Sequence, residues 1–293
     1  MKKNSILLLL SLIFMGLSCS DKKDKKEVVD YNKGALTIYS DESFSSVVEA
    51  LADAYMIHYP ETNIKVEKKK EDLALLDFLN GSVNVVALSK KLSNEEKQAY
   101  EDNIGSKFHQ DRFAVDAVLF VVPKTSSRNS ISIDEIRDFL NSESKELIFD
   151  GVNSSNLNTV ASYFKTKPKN LKYSIISGNE NVVQQLEKYP SKIGVISKNT
   201  ISREYAPEAI ELRSKVKILP VEVEGKLYKA EGDDWRYFRY PFTRELYFLN
   251  REKRFAIAGG FIRFSCMQIG QMVVTKEGVL PYNLFKREVQ MKK

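Results

Sequence analysis

The stretch that most constrains the fold runs from Leu36 to Pro60, LTIYSDESFSSVVEALADAYMIHYP. Leu36-Thr37-Ile38-Tyr39 alternates as a short strand does, and Ser40-Asp41-Glu42-Ser43 is a polar turn. Phe44, Val47, Val48, Leu51, Ala54, Tyr55 and His58 then recur at helical spacing. Ser43 stands where an N-cap is expected. A strand that feeds a helix through such a turn aims backbone N–H groups and hydroxyls at the positive end of the helix dipole, where an anion is favoured. The expectation is that this turn forms half of an oxyanion site, in a protein that binds a small anion rather than transforming one.

The alternation continues along the chain. Asn63–Glu67 reads as a strand, Glu71–Leu79 as a helix closed by Gly81, and the β-branched run Val83–Leu88 as a buried strand ending at Ser89-Lys90-Lys91. Ser93 caps an exposed helix. Phe113–Val122 is the strongest strand, and Asp116 is its single charge. Such an acid either meets a basic residue or backbone N–H in the core, or serves the ligand or a hinge. Ser132 opens a helix with a capping-box pattern. Leu147–Asp150 leads into Asn153-Ser154-Ser155-Asn156 and a helix from Leu157 to Phe164, a second strand–turn–helix unit chemically like the first. Further on, Val182–Lys188 and Phe255–Met272 read as helices, the latter ended by Val273-Val274. Lys192–Ser197, Glu211–Val223 and Glu245–Leu249 read as strands, Lys226–Asp234 as loop, and Lys276–Pro281 as a terminal turn. This order predicts an α/β fold with a largely parallel sheet, in which ligands collect at the carboxyl ends of strands.

The amino terminus stands apart from the fold. Lys2 and Lys3 precede an apolar run, Ile6–Leu17, that is shorter than the roughly 20 residues of a spanning helix. Residues 1–18 read as an export signal, with Ser18 before Cys19 as in a lipobox and Cys19 as the lipidated residue. Gly16 stands where leucine is usual, which leaves an ordinary signal-peptidase site as the alternative. Ser20–Lys33 is a charged tether. Beyond Cys19 only Cys266 remains, so no disulfide framework exists, and its apolar helical setting suits a structural thiol. With 43% hydrophobic and 29% charged residues the composition is that of a globular protein, and a net charge of +6 is too modest to argue for nucleic acid. No metal-ligand spacing, nucleophile elbow or phosphate loop is present, so neither an enzyme nor a cofactor is expected.

Taken in order, several short motifs carry a family likeness: Tyr39-Ser40-Asp41-Glu42-Ser43-Phe44, Ser89-Lys90-Lys91-Leu92-Ser93, Phe113-Ala114-Val115-Asp116-Ala117, Phe149-Asp150 leading to Asn153-Ser154-Ser155, and Tyr240-Pro241-Phe242-Thr243-Arg244-Glu245. Over roughly residues 34–289 the chain resembles the phosphate-binding PstS-type lipoproteins of ABC transporters, in the form found in Bacteroidetes. The resemblance implies a type II periplasmic-binding-protein fold: two α/β lobes with central mixed sheets, joined by a two-strand hinge. It places residues 19–34 as the lipidated cysteine and tether, 35–118 plus 233–293 as one lobe, and 119–232 as the other. It also implies inorganic phosphate, or a similar oxyanion, held in the cleft by Asp41, Glu42, Ser43, Phe44, Ser89, Lys90 and Asp116 with Asn153, Ser154, Ser155 and Asn156. The partners would be the membrane, through Cys19, and an ABC permease, with the protein an exported monomer anchored to a bacterial envelope membrane, facing the periplasm or the cell surface. A carboxylate at Asp41 or Glu42 would accept a phosphate proton that sulfate lacks.

Two positions depart from the family pattern. Ser154-Ser155-Asn156 replaces the usual Ser-Gly-Thr, and Lys90 replaces Arg or Asp. A side chain at position 155 crowds a backbone contact that glycine leaves open, and lysine is a weaker bidentate partner than arginine. These departures keep a second expectation alive, a binding-fold lipoprotein that has lost anion binding and acts as a surface interaction or scaffold protein.

Overall fold

The computed structural model of the protein describes residues 30–283. The export signal, Cys19 and the tether before Asp30 lie outside the described residues. In chain order the strands are β1 (Lys33–Ser40), β2 (Glu61–Lys68), β3 (Val85–Leu88), β4 (Asp111–Pro123), β5 (Ile131–Ser132), β6 (Leu147–Phe149), β7 (Ser174–Ile175), β8 (Ile193–Ser197), β9 (Val216–Leu219), β10 (Val221–Val223), β11 (Lys226–Tyr228), β12 (Thr243–Asn250) and β13 (Leu280–Pro281). The helices are α1 (Ser45–His58), α2 (Glu71–Leu79), α3 (Asn94–Ile104), α4 (Ile133–Asn141), α5 (Ser155–Tyr163), α6 (Asn179–Gln185), α7 (Asn199–Ser202), α8 (Pro207–Lys215), α9 (Gly232–Arg236), α10 (Ile257–Cys266) and α11 (Gln268–Lys276).

β4 is the spine. From Phe113 to Pro123 every residue is buried, which is what an apolar run with no polar face requires of a strand covered on both sides. Its first half pairs antiparallel with β12 and β13, and its second half with β8 and β9. The ten-stranded sheet therefore runs β2-β1-β3-β12-β4-β8-β6-β7, with β9 and β13 also on β4. At one end β1 pairs parallel with β2 and β3; at the other β6 pairs parallel with β7 and β8. The chain passes between the two halves at Ala117-Val118 and again at Phe242-Thr243, and these crossings touch, since Val118 N donates to Phe242 O at 3.0 Å. A separate small sheet joins β11, β10 and β5.

Helices cover both faces. The main core gathers Ile38, Phe44, Leu51 and Tyr55 with Phe113, Phe120 and Phe261, and the Phe113 and Phe248 rings stack with centroids 4.2 Å apart. A smaller core under α2 and α3 holds Phe78, Tyr100 and Leu249. Among the described residues no single helix is long and apolar enough to cross a membrane.

Several expectations need correction. Lys33 and Gly34 belong to β1 rather than the tether, because β2 pairs with them. Residues Glu211–Lys215 are helical, in α8: Pro207 at its first turn pre-sets the helical φ, and Ala209 and Leu212 bury one face at helical spacing. Lys226–Tyr228 is a strand and Gly232–Arg236 a short helix, not loop. The expected single helix over Phe255–Met272 is two, bent by 66° at Met267, with the second running past Val273-Val274 to Lys276. Gln271 Nε2 donates to Ser265 O at 2.7 Å, satisfying a carbonyl at the end of α10. Leu280-Pro281, read as a turn, pairs with β4.

The bend depends on Gly270, where a Cβ would lie 2.4 Å from Phe264 O and 2.6 Å from the Ser265 Cα. Gly270→Ala is expected to destabilise the protein by about 1–3 kcal/mol, the usual overpacking range, read as a lowered urea midpoint at unchanged slope.

Candidate functional site

Where the two halves of the sheet face each other, three polar turns converge. β1 ends at Ser40, and Asp41 then takes an extended conformation (φ −61°, ψ 142°) before a single 3₁₀ turn over Glu42–Phe44. Asp41, not Ser43, caps that turn: its Oδ1 accepts from Ser43 N at 3.0 Å. Sequence reasoning misplaced the cap because the 3₁₀ turn moves the true helix start to Ser45. The Asp41 carboxylate is fully buried. Its Oδ2 accepts from Glu71 N at 2.9 Å and Ser155 N at 3.2 Å, and its Oδ1 accepts from Ser155 Oγ at 2.9 Å. The starts of the 3₁₀ turn, α2 and α5 thus all point at one carboxylate, the arrangement that favours an anion at helix N-termini.

A second carboxylate sits beside it. Glu71, the first residue of α2, is buried, and its Oε1 accepts from Ser89 N at 2.6 Å, Ser89 Oγ at 2.8 Å and Lys90 N at 3.0 Å. Asn158 Nδ2 reaches Oε2 at 2.9 Å. Burial, reinforced by the neighbouring Asp41, holds the Glu71 carboxyl above its ordinary range. The third is Asp150, at the end of β6, which accepts from Lys70 Nζ at 2.9 Å and Asn156 Nδ2 at 3.1 Å. It too is raised, by burial and then by Asp41. Burial alone would lower the Lys70 ammonium, but Asp150, Asp41 and Glu42 together raise it.

The fourth is Asp116, directly opposite Arg244 in the β4–β12 register. Arg244 Nη2 and Nε reach Asp116 Oδ2 at 2.7 and 3.0 Å, and both side chains are almost wholly buried. Ser197 Oγ and Asn199 N complete the carboxylate shell. Arg244 Nη1 extends to Ser155 Oγ at 3.1 Å, so a continuous chain of bonds links Asp116, Arg244, Ser155 and Asp41 across the seam. Asp116 thus meets a basic residue and a backbone N–H, as one of the two sequence readings had it.

The remaining sequence-selected residues are distributed as follows. Ser43 Oγ accepts from Asn179 Nδ2 at 3.2 Å, and the buried Phe44 ring lies under the Arg244 guanidinium at 5.5 Å. Ser154 is the N-cap of α5. Asn153 has a left-handed φ of 59° and its carbonyl accepts from Asp72 N. Asn156 Nδ2 also reaches Asn179 Oδ1 at 2.8 Å, while its own Oδ1 is buried without a partner. Glu42 Oε2 lies 3.5 Å from Lys70 Nζ, and Lys90 Nζ pairs with Asp72 at 2.7 Å and Glu96 at 2.8 Å. Ser155, the departure from glycine, uses its hydroxyl to bind Asp41 rather than leave a gap.

Sequence reasoning did not single out Lys70, Glu71, Asp150, Asn179 or Arg244. A signal existed for two of them: an acid inside the apolar β4 demands a cation, and Asp150 ends a strand where ligands collect. Glu71 read as an ordinary first-turn acid. Seven carboxylates (Asp41, Glu42, Glu71, Asp72, Glu96, Asp116, Asp150) thus stand against three cations (Lys70, Lys90, Arg244) in these contacts. No group of three or more potential metal ligands occurs among the described residues. Cys266 is unsuited to nucleophilic work, since burial pushes its thiol up to about 12.

Comparison with known proteins gives a family and a fold. Residues 27–267 match the model of the PBP superfamily domain. The phosphate-binding protein PstS 2 of Streptococcus pneumoniae is 25% identical over 118 residues, a match covering 39% of this chain and 38% of that protein's length. A phosphate ABC transporter substrate-binding protein of Clostridium perfringens, solved with bound phosphate, superposes with a TM-score of 0.69 at 18% identity, over 85% of this chain and 100% of that one. An ABC-type phosphate transport receptor of Vibrio cholerae gives 0.64 at 14% identity, with the same coverages. The reduced regulatory domain of OxyR2 from Vibrio vulnificus gives 0.53 at 12% identity, over 85% and 97%. The expected α/β binding-protein fold is therefore observed, and the same architecture serves both transport receptors and a regulatory domain.

Arg244→Leu is expected to cost about 3–5 kcal/mol in urea unfolding by leaving Asp116 buried and unpaired, and Asp116→Leu with Arg244→Leu to recover most of it. The raised Glu71 and Asp150 carboxyls bind their protons more tightly folded than unfolded. Their contribution is therefore complete at low pH and is lost as pH rises from about 4 through the raised values. Urea midpoints of a Glu71→Gln/Asp150→Asn protein are expected to fall less as pH rises above about 4 than those of the unsubstituted protein.

Proposed function

The chain belongs to the PBP superfamily, and from that premise we propose that it is an exported solute-binding lipoprotein. Its ligand is inorganic phosphate or a related tetrahedral oxyanion, taken up in the seam and passed to an ABC permease. Its lobes are residues 35–118 plus 233–293 and residues 119–232, closing about the paired crossings at Ala117-Val118 and Phe242-Thr243; Cys19 carries the lipid. The observation that carries this reading is the convergence of four donors from Ser43, Glu71 and Ser155 on one carboxylate. A carboxylate is itself an oxyanion, so these donors are already aimed as an oxyanion needs. On this reading phosphate takes the place of the Asp41 carboxylate, which moves aside and accepts the phosphate proton. That proton would separate phosphate from sulfate, whose oxygens would meet Asp41 as one anion meets another. The phosphate receptors that share the fold support the choice of ligand.

One observation favours a second reading, in which Asp41 is the permanent occupant and the protein is a scaffold or interaction module. Glu71 takes the Ser89 donors as Asp41 takes those of Ser155, and the excess of carboxylates in the seam opposes entry of a dianion.

Calorimetry near pH 7 with phosphate and with sulfate, on the unsubstituted protein and on Asp41→Ala, separates the two. The first reading expects the unsubstituted protein to bind phosphate, at least about tenfold more tightly than sulfate. The second expects binding only in Asp41→Ala, where an added anion fills the vacated donors and raises the Tm. No binding by either protein overturns both.

A further inference from the structure

Outside the seam, at its mouth, lies a cavity of about 840 Å³. That is the size of a pocket for a small organic molecule, roughly 300–1,000 Å³, and far more than one phosphate fills. Lys91, Lys97 and Phe108 contribute from the side of β3 and α3, Ser162 and Tyr163 from α5, and Phe238 from the segment before β12. The wall is cationic: Lys90, Lys91, Lys97, Arg112 and Arg244 line it against one acid, Glu245. That acid is already engaged by Arg112 at 2.6 Å, and Lys90 and Arg244 have their own carboxylates. Lys91 and Lys97 have no ion-pair partner among the described residues. Lys91 is exposed and Lys97 Nζ lies 5.6 Å from the Phe108 ring centroid, so two ammonium groups without a carboxylate partner stand beside one cavity.

The opposite requirement comes from Phe238. Its backbone is left-handed, with φ 55°, where the chain ends α9: Phe238 N donates to Trp235 O at 3.0 Å and Arg239 N to Asp234 O at 2.7 Å, and the residue is left 49% exposed. The exposed apolar surface of this residue faces the cavity. Tyr163, 37% exposed, presents a second ring to the same cavity. A flat ligand ring would cover these exposed faces.

We propose that this outer cavity binds an organic phosphate of nucleotide size, with its phosphoryl group at Lys91 and Lys97 and its flat ring against Phe238 and Tyr163. Lysines hold phosphate as point charges, while the Ser162 hydroxyl offers a neutral donor to the remainder. Ser89, Lys90 and Arg244 line both the cavity and the seam, but Ser43, Glu71 and Ser155 do not line the cavity, so the proposal does not rest on the Asp41 donors being vacated.

Isothermal calorimetry with AMP, glucose 6-phosphate and inorganic phosphate tests it. AMP is expected to bind in the micromolar range, about tenfold or more tighter than glucose 6-phosphate, and inorganic phosphate at equal concentration not to displace it. Lys91→Ala with Lys97→Ala should weaken AMP binding by about tenfold or more, and Phe238→Ala by about three- to tenfold. All three substitutions are at the cavity rim, so circular dichroism should show the folded protein in each. Absence of AMP binding, binding of glucose 6-phosphate as tight as AMP, displacement by inorganic phosphate, or AMP binding indifferent to these substitutions overturns the proposal.

Discussion

The carboxylate of Asp41 is the point through which the two halves of the sheet meet. Backbone N–H groups at the first turns of α2 and α5, with that of Ser43, converge on it. Each turn alone would leave donors unsatisfied in a dry interface, at a cost of about 1–3 kcal/mol per group. One shared acceptor satisfies them together. It also fixes the relative placement of β1, α2 and α5, elements that come from different parts of the chain. Glu71 repeats the device one step outward, tying the end of β3 to α5 through Ser89 and Asn158.

Buried acids need cations, and the seam has few. Arg244 neutralises Asp116 where the two crossing strands lie side by side, and its third nitrogen anchors Ser155. Lys70 neutralises Asp150. Glu71 has no cation partner among the described residues and depends on neutral donors, while burial and then Asp41 raise its carboxyl. The inner seam is thus filled by the chain's own anions, while the surplus positive charge lies outside it, on Lys91 and Lys97. Small-anion recognition and the outer cavity are consequently two separate electrostatic problems within one cleft.

Much of the architecture was legible in residue order. The apolar β4, the capping boxes at Ser93 and Ser132, and the strand–turn–helix units at Ser40 and Asn153 all declare themselves locally. The misreadings fell where local signals conflict with packing. Glu211–Lys215 precedes a β-branched strand and was merged with it, although Pro207 marks a helix start. The break at Met267 follows from the close approach of Gly270 to the end of α10, which no periodicity reports. Ser43 resembled a cap, but Asp41 reaches the same N–H from two residues earlier.

The sequence by itself determined which turns are rich in donors, that Asp116 required a partner, and that the elements alternate as an α/β fold. Those properties depend on neighbours within a few residues or on the cost of burying charge. Tertiary structure alone decided what the donors hold. Ser155 lies 114 positions from Asp41, and Arg244 lies 128 from Asp116. Only the folding of β4 and β12 into one seam brings these groups within hydrogen-bond reach, so the occupant of the oxyanion turns is a property of the assembled sheet and not of either motif.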